Sequence, residues 1–522
     1  MKRHRASSRL AQSESSLPVH RDAAPHYLGL DIGTGACKAV AFDEQGRVCA
    51  SARREYAVRF TPDEGAELDA DEVMAACFAA IRETADALPP ASIRSLGVSS
   101  QGEAFTPVDR EGRALHPAMV SSDMRAEALA REWPQSFGAE RLYQVTGHTA
   151  HPMFTLFKLL WLQQARPDVW TRTSQFLCFE DLLHRRLGID PAIGWPLAGR
   201  TMFFDVRKHT WDDGILRAAG VAPAQLARPL PSGAVAGAVP ADVAAQLGLA
   251  PGALVVCGGH DQPCGALGAG VTEPGLAMYA TGSVECITPA FAAPIFDEAL
   301  RANNLCTYDH ALAGLYTTVA FSLTGGNLLT WFRNEFGGTE CERAGRTGAD
   351  AYSLLLDLAG TEPSPLLALP YFTPSGTPYF DTRTKGAILG LRLSTTRGQV
   401  LRSLLEGVAF EMRLNLEILE SAGGAIRELR VIGGGAKSDA WTQLKADVLG
   451  RPVVSLDVAE AGCLGTAVLA CAACTRRPPA VLVRDWVRPR RAFAPDPARA
   501  AWYRKRFDLY RRLRPALSDL AI

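Results

Sequence analysis

Apolar residues come in short blocks, broken by glycines and charges. "YLGLDIG" (27–33), "CKAVAFD" (37–43) and "RVCASARREYAV" (47–58) read as three antiparallel strands joined by Gly-containing turns. "DADEVMAACFAAIRETADAL" (69–88) then shows helical spacing, with Asp69 or Asp71 as its N-cap. "IRSLGVSS" (93–100) reads as a buried strand. Three strands, a helix and a strand is not the βαβ order of a dinucleotide-binding domain, which argues against a dehydrogenase.

The plan recurs. "LAMYATGSVECITPAF" (276–291) is strand, Thr-Gly-Ser turn, strand; residues 396–423 have the period of a long amphipathic helix; residues 426–453 read strand, glycine turn, helix. We therefore expect an α/β protein of two related domains, 27–268 and 269–500, with the break near "GALGAGVTEPG" (265–275). Residues 501–522 are expected to form a basic helix whose aromatics pack on the body while its arginines stay in water.

Composition changes this picture little. The 522 residues are too many for one ordinary core. Lys+Arg and Asp+Glu are both 55, so no global field favours nucleic acid or an anionic membrane, and neither is expected as a partner. Twelve cysteines lack a repeating spacing and read as buried thiols in a reducing compartment; "CAAC" (471–474) lies in an apolar helical run and reads as core. Residues 1–26 are polar, fail as a secretory signal and are expected to be a disordered tail. No apolar run reaches membrane-spanning length, and a cytoplasmic location is expected.

The candidate chemistry lies in the glycine turns. Asp31 ends an apolar run, where a carboxylate is costly unless hydrogen bonds satisfy it or it faces a site. "DIGTGACK" is not a P-loop, yet a Gly/Thr hairpin exposes backbone N–H groups able to cradle phosphate oxygens. Thr34 adds a hydroxyl, Lys38 a cation, and Asp31 would hold Mg²⁺ through water; an ordinary hairpin with a satisfied Asp is the alternative. "YATGSVE" (279–285) offers a second such hairpin, and "VIGGGAKSDAW" (431–441) sets three glycines between strand and helix, where a base or ribose could approach the backbone. "VVCGGHDQPCG" (255–265) ends a buried strand in small residues and leaves Asp261 exposed at its end, as a base for an alcohol or as a helix cap.

Those stretches, with "GVSSQGEAF", "SSDMRA", "SLTGGNLLTWF" and "TKGAILGLRLSTTRGQVLRSLLEGVAFEMRLNLE", in this order, resemble the FGGY carbohydrate kinases from about Tyr27 onward. The resemblance implies two actin/hexokinase-like (ribonuclease H-like) domains flanking a cleft, ATP and Mg²⁺ as cofactors, and a monosaccharide or polyol substrate held mainly by the first domain. It implies Asp31 at the Mg²⁺, Thr34 in the first phosphate loop, Thr281 and Gly282 in the second, and Gly326 near the nucleotide. It further implies Gly434, Gly435 and Asp439 at adenosine, and Asp261 as the catalytic base beside Gln262. A homodimer is the assembly left open.

The sugar signal departs from the relatives. Glycerol kinases show Gln-Arg-Glu after the strand and xylulose kinases Gln-Met-His; here the residues are Gln101, Gly102 and Glu103. The Asp and Arg of the next motif remain as Asp123 and Arg125, but its aromatic is replaced by Ser121–Ser122. Gln101, Glu103, Asp123 and Arg125 are expected to meet sugar hydroxyls. Xylulokinase- or fuculokinase-like specificity is one alternative. A non-catalytic ATP-binding sensor is another, although Asp31, Asp261 and Thr281 all being present argues against it.

Overall fold

A computed structural model of the chain describes residues 24–381 and 383–518; the tail expected at 1–26 lies outside the described residues up to position 23. His26, assigned to that tail, is instead the first residue of a strand, buried with Nδ1 3.0 Å from Ser92 Oγ.

The first half builds a sheet from β1 (His26–Ile32), β2 (Ala36–Phe42), β3 (Val48–Glu55), β4 (Ile93–Ser100), β5 (Val235–Ala238) and β6 (Leu254–His260), in the order β3-β2-β1-β4-β6-β5. The second half builds one from β7 (Leu276–Thr281), β8 (Glu285–Pro289), β9 (Ala320–Ser322), β10 (Glu428–Ile432), β11 (Val453–Leu456) and β12 (Pro489–Phe493), in the order β9-β8-β7-β10-β11-β12. Read across, both sheets run antiparallel, antiparallel, parallel, parallel, antiparallel. The hairpins read from the sequence are the first strands of each sheet, and two related domains are what this repetition amounts to.

Helix α1 (Ala70–Asp86) covers the first sheet. Asp69 caps it, accepting from the Asp71 and Glu72 N–H groups, an interaction typically worth about 1 kcal/mol. Its buried Val73, Cys77, Ala80 and Ile81 fall on one face at the 3.6-residue period. The excursion between β4 and β5 contains α2 (Phe179–Arg186), which packs on β4 and β6, and α3 (Trp195–Gly199), which packs on β6. β6 feeds α4 (Asp261–Gly268). The second half adds α5 (Gly326–Phe336), α6 (Arg397–Gly423), α7 (Asp439–Leu449) and, after β11, α8 (Ala461–Thr475).

Helix α8 ties the two halves together. It belongs to the second half by sequence but lies on the first sheet, where Ser95 Oγ donates to the Ala470 carbonyl at 2.9 Å. It also crosses α4 backbone against backbone. A Cβ on Gly268 would stand 1.9 Å from the Ala461 carbonyl oxygen, and one on Gly465 2.0 Å from that of Cys264. Only glycine permits this approach. "CAAC" is part of α8: Cys471 is in the core, Cys474 is exposed, and all twelve cysteines are free.

The C-terminal helix α9 (Pro497–Ser518) starts four residues before the expected boundary and buries Tyr503, Phe507 and Tyr510 against α6. Tyr503 donates to Glu406, itself paired with Arg402, and Tyr510 donates to Glu411. Arg504, Lys505, Arg511 and Arg512 stay exposed, as the amphipathic pattern requires. Among the described residues no helix is long and apolar enough to cross a membrane.

Candidate active site

The strand ends of both sheets open onto one cleft. A cavity of about 330 Å³ lies there, with Thr34, Gln101, Glu103, Arg200, Asp261 and Gln262 on the side of the first half and Val284, Asn304 and Phe321 on the other. Most of the cavity's charged groups come from the first half, while the second half supplies much of the opposite wall.

Asp261 opens α4 at the cavity floor, its side chain about a third open at 32%. Burial among protein, then the nearby charges of Asp31 and Glu103, push its carboxyl up to about 7. Its neighbour is His260, Nε2 at 3.2 Å from Oδ1. Burial drives that imidazole well below its usual value, so it is neutral. The Tyr308 hydroxyl, kept protonated by burial, lies 2.8 Å from Nδ1 and bonds it in either tautomer of the ring. A carboxyl raised toward neutral pH can, once ionised, take a proton from an alcohol.

Glu103, expected from the sequence as a sugar-hydroxyl contact, lines the cavity and is also engaged within the protein. It is 2% exposed, and one carboxylate oxygen takes both Nε (2.5 Å) and Nη2 of Arg200. Ser121 Oγ donates to the other oxygen at 2.7 Å. Its backbone sits at φ +64°, a left-handed conformation that a non-glycine residue adopts at a cost. Sequence reading missed Arg200, which follows α3, because nothing local marks it. It also missed Glu180 on α2, fully buried, which accepts the N–H of Gly194 at 2.8 Å and of Gly258 at 2.9 Å. Glu180 thus fixes both the strand end before Asp261 and the entry to α3 and Arg200; burial pushes its carboxyl up to about 7.

Gln101 lines the cavity and braces the first glycine turn, accepting from Thr34 Oγ1 at 3.2 Å and donating to the Gly33 carbonyl at 3.1 Å. Asp123 and Arg125 are not brought to the cavity wall. Asp123 is fully buried, takes the Ala66 N–H at 3.0 Å and pairs with Arg125 at 2.6 Å. Arg125 also pairs with Glu67 and lies 4.3 Å over the Trp161 ring, so the two hold a wall together.

Asp31 ends β1 opposite Lys38 in register and accepts from Ser99 Oγ at 3.0 Å. Burial pushes its carboxyl up despite Lys38, the position of an anion short of positive charge. Lys38 turns to Glu460 at 2.7 Å. Among the described residues no three His, Cys, Asp or Glu groups converge as a full ligand set. One under-compensated carboxylate beside the Thr34 turn is a donor that a mostly hydrated Mg²⁺ would fit, with Asp31 as the residue to hold it. Such an ion supplies neutralisation of charge on the transferring phosphoryl group.

A second cavity, about 640 Å³, lies in the second half against Gly282, Ser283, Gly326, Gly434, Gly435 and Trp441. The Thr281–Val284 turn lines both cavities, Gly282 and Ser283 facing this one and Val284 the other. Thr281 Oγ1 is buried without a hydrogen-bond partner, an orphaned hydroxyl where a phosphate is expected. The glycine turn packs against it: Gly433 has φ +88°, and a Cβ on Gly435 would stand 2.0 Å from Thr281 Oγ1. Beneath, Lys445 on α7 pairs with Glu285 at 2.6 Å, both within 1% of full burial, tying the helix to the hairpin. Asp439 begins α7, but its carboxylate is held by Arg490 at 2.8 Å and by Arg491; its neighbours Ser438 and Ala440 line the cavity instead.

With this geometry in place, the comparisons are specific. Residues 26–268 match the FGGY family of carbohydrate kinases, N-terminal domain, and residues 279–474 the C-terminal domain of the same family. A gluconokinase of Bacillus licheniformis is 27% identical over 500 residues, covering 95% of this chain and 96% of its own. An autoinducer-2 kinase of Yersinia enterocolitica is 30% identical over 460 residues, 85% of each chain. The crystal structure of a xylulose kinase from Rhodospirillum rubrum superposes with a TM-score of 0.86 at 27% identity, covering 95% of this chain and 99% of that one.

Proposed function

The chain belongs to the FGGY family of carbohydrate kinases, and from that membership we propose that it transfers the γ-phosphate of ATP to a hydroxyl of a ketose, polyol or related monosaccharide. Asp261 is the base, Asp31 the Mg²⁺ contact, and the turns at Thr34, Thr281–Gly282, Gly326 and Gly434–Gly435 hold the nucleotide. The observation that carries this reading is Asp261: a carboxylate pushed up to about 7, at the floor of a polar cavity, beside a turn that also lines the glycine-walled cavity. Phosphoryl transfer asks for positioning, neutralisation of phosphate charge and a proton acceptor, and these are the parts assembled.

The test is an ADP-release screen with Mg²⁺ and ATP across pentuloses, hexuloses, polyols and sugar acids. Sugar-dependent ADP release, absent in Asp261→Asn, supports the reading. ATP binding with no sugar-dependent release from any compound would favour the sensor alternative.

A further inference from the structure

The charges around the sugar cavity bear on which substrate it takes, a question that rests on the kinase reading above. Among the described residues, Arg200 is the one Lys or Arg lining the cavity, and it is committed to Glu103 through two nitrogens. Its guanidinium lies over the rings of Phe154 (4.9 Å) and Tyr308 (5.6 Å), which hold it in place. The two lining histidines carry no charge: burial pushes His148 down to about 3 and His260 well below its usual value. Lys158 donates instead to the Met119 and Val120 carbonyls, at 3.0 and 3.2 Å, and Lys38 is on Glu460. Two carboxylates, Glu103 and Asp261, face the space.

One further atom sets a direction. Gln262 Oε1 is buried without a hydrogen-bond partner. An orphaned acceptor calls for a donor, which a hydroxyl supplies and a carboxylate cannot.

We propose that this cavity is built for an uncharged ketose or polyol and rejects sugar acids, with the Glu103–Arg200 pair as the specificity-determining element. A sugar carboxylate entering here meets no uncommitted cation and is repelled by Asp261. At Arg200 Nη1 it would set a second carboxylate on the one cation that Glu103 already neutralises. A neutral polyol meets the pair intact. Its hydroxyls donate to Glu103 and Gln262 and accept from Arg200 Nη1, whose contact in the protein is the distant Cys306 Sγ at 3.9 Å. Of the gluconokinase, autoinducer-2 kinase and xylulose kinase relatives, the name that fits this chemistry least is gluconokinase.

The experiment uses the full-length chain and compounds matched in carbon number: pentulose and pentitol against pentonate, hexulose and hexitol against hexonate. ADP release and binding heat are measured for each. The expected result is a neutral compound favoured over its acid by about 10²-fold or more in kcat/KM, the scale on which unpaired buried polar groups discriminate. Glu103→Gln, which frees Arg200, should shift the acid-to-neutral ratio toward the acid by about 10-fold. The wild-type panel decides the matter even if that variant misfolds. An acid phosphorylated as well as its neutral counterpart overturns the inference and leaves the kinase reading intact. A neutral compound that binds without turnover supports the inference and counts against the kinase reading. Binding and turnover of neither class overturn both.

Discussion

The two halves repeat one sheet and one helix placement, and they differ at the same structural point. In the first, β6 runs into α4, whose first residue is Asp261; in the second, β11 leads to α8, preceded by Glu460 at its N-cap. Each half thus sets a carboxylate at the head of one of the two crossed helices. Glu460 receives a lysine, Lys38, at 2.7 Å. Asp261 receives a neutral imidazole and faces two further carboxylates. The same backbone therefore yields a salt bridge in one half and a group ready to accept a proton in the other, and neighbouring charge makes the difference.

That contrast is broken most severely at Asp261. Asp261→Asn keeps size and most hydrogen bonding but removes the proton acceptor, and kcat should fall by about 10²–10⁴-fold with ATP affinity retained. The loose character of phosphoryl transition states sets the lower end of that range. Steady-state kinetics with the identified sugar, alongside nucleotide titration, measures it; wild-type turnover in the variant would remove Asp261 from the role of base.

A buried pair gives the opposite limit. Lys445→Met strands the Glu285 carboxylate beneath the Thr281–Val284 turn and should cost about 3–5 kcal/mol of stability, read from denaturant midpoints. An unchanged midpoint would mean that the pair is not desolvated as its burial implies.

Acidity sharpens the comparison further. With the proposed base active only as the carboxylate, kcat/KM for the sugar should rise about tenfold per pH unit below about 7 and level off above it. Stability runs the other way. A folded-state value raised above 3.8 means that the proton is held more tightly in the folded protein, so stability from this site is lost as pH rises through about 7. Asp261→Asn should accordingly gain in melting temperature over the wild type across that interval, and a gap that does not widen with pH would contradict the assignment.

The smallest effect belongs to the other helix. Glu460→Gln breaks a partly exposed pair, 28% and 38% open, and should change stability by no more than about 1 kcal/mol with turnover close to wild type. A collapse of kcat there, measured as for Asp261, would erase the distinction between the two carboxylates.

What could be read in the sequence was what is written locally. The hairpins at 27–42 and 276–289 and the glycine turn at 433–435 are marked by residues within a few positions of one another, and Asp69 announces its helix directly. The sugar cavity is written at long range. Glu103 and Arg200 are 97 residues apart and Glu180 and Gly258 are 78 apart, so no pattern along the chain joins them. Asp123 and Arg125 carried a recognisable motif, yet their charges are spent on Glu67, Ala66 and each other. The placement of α8 on the first sheet was equally invisible, since an all-apolar helix does not declare which sheet it will cover.

The crossing of α4 and α8 at Gly268 and Gly465 has a geometric consequence. Two helices that approach this closely at their glycines form a fulcrum, and Asp261 stands at the end of one arm. Three to seven residues of helix separate Asp261 from the crossing, about 5–10 Å, so a swing of about 10° between the halves would carry the carboxylate about 1–2 Å relative to the Thr281 turn. A proton acceptor works within a hydrogen bond's reach of its target, roughly 2.6–3.2 Å. A swing too small to alter the outline of the molecule is therefore enough to take the base into range of a substrate hydroxyl or out of it.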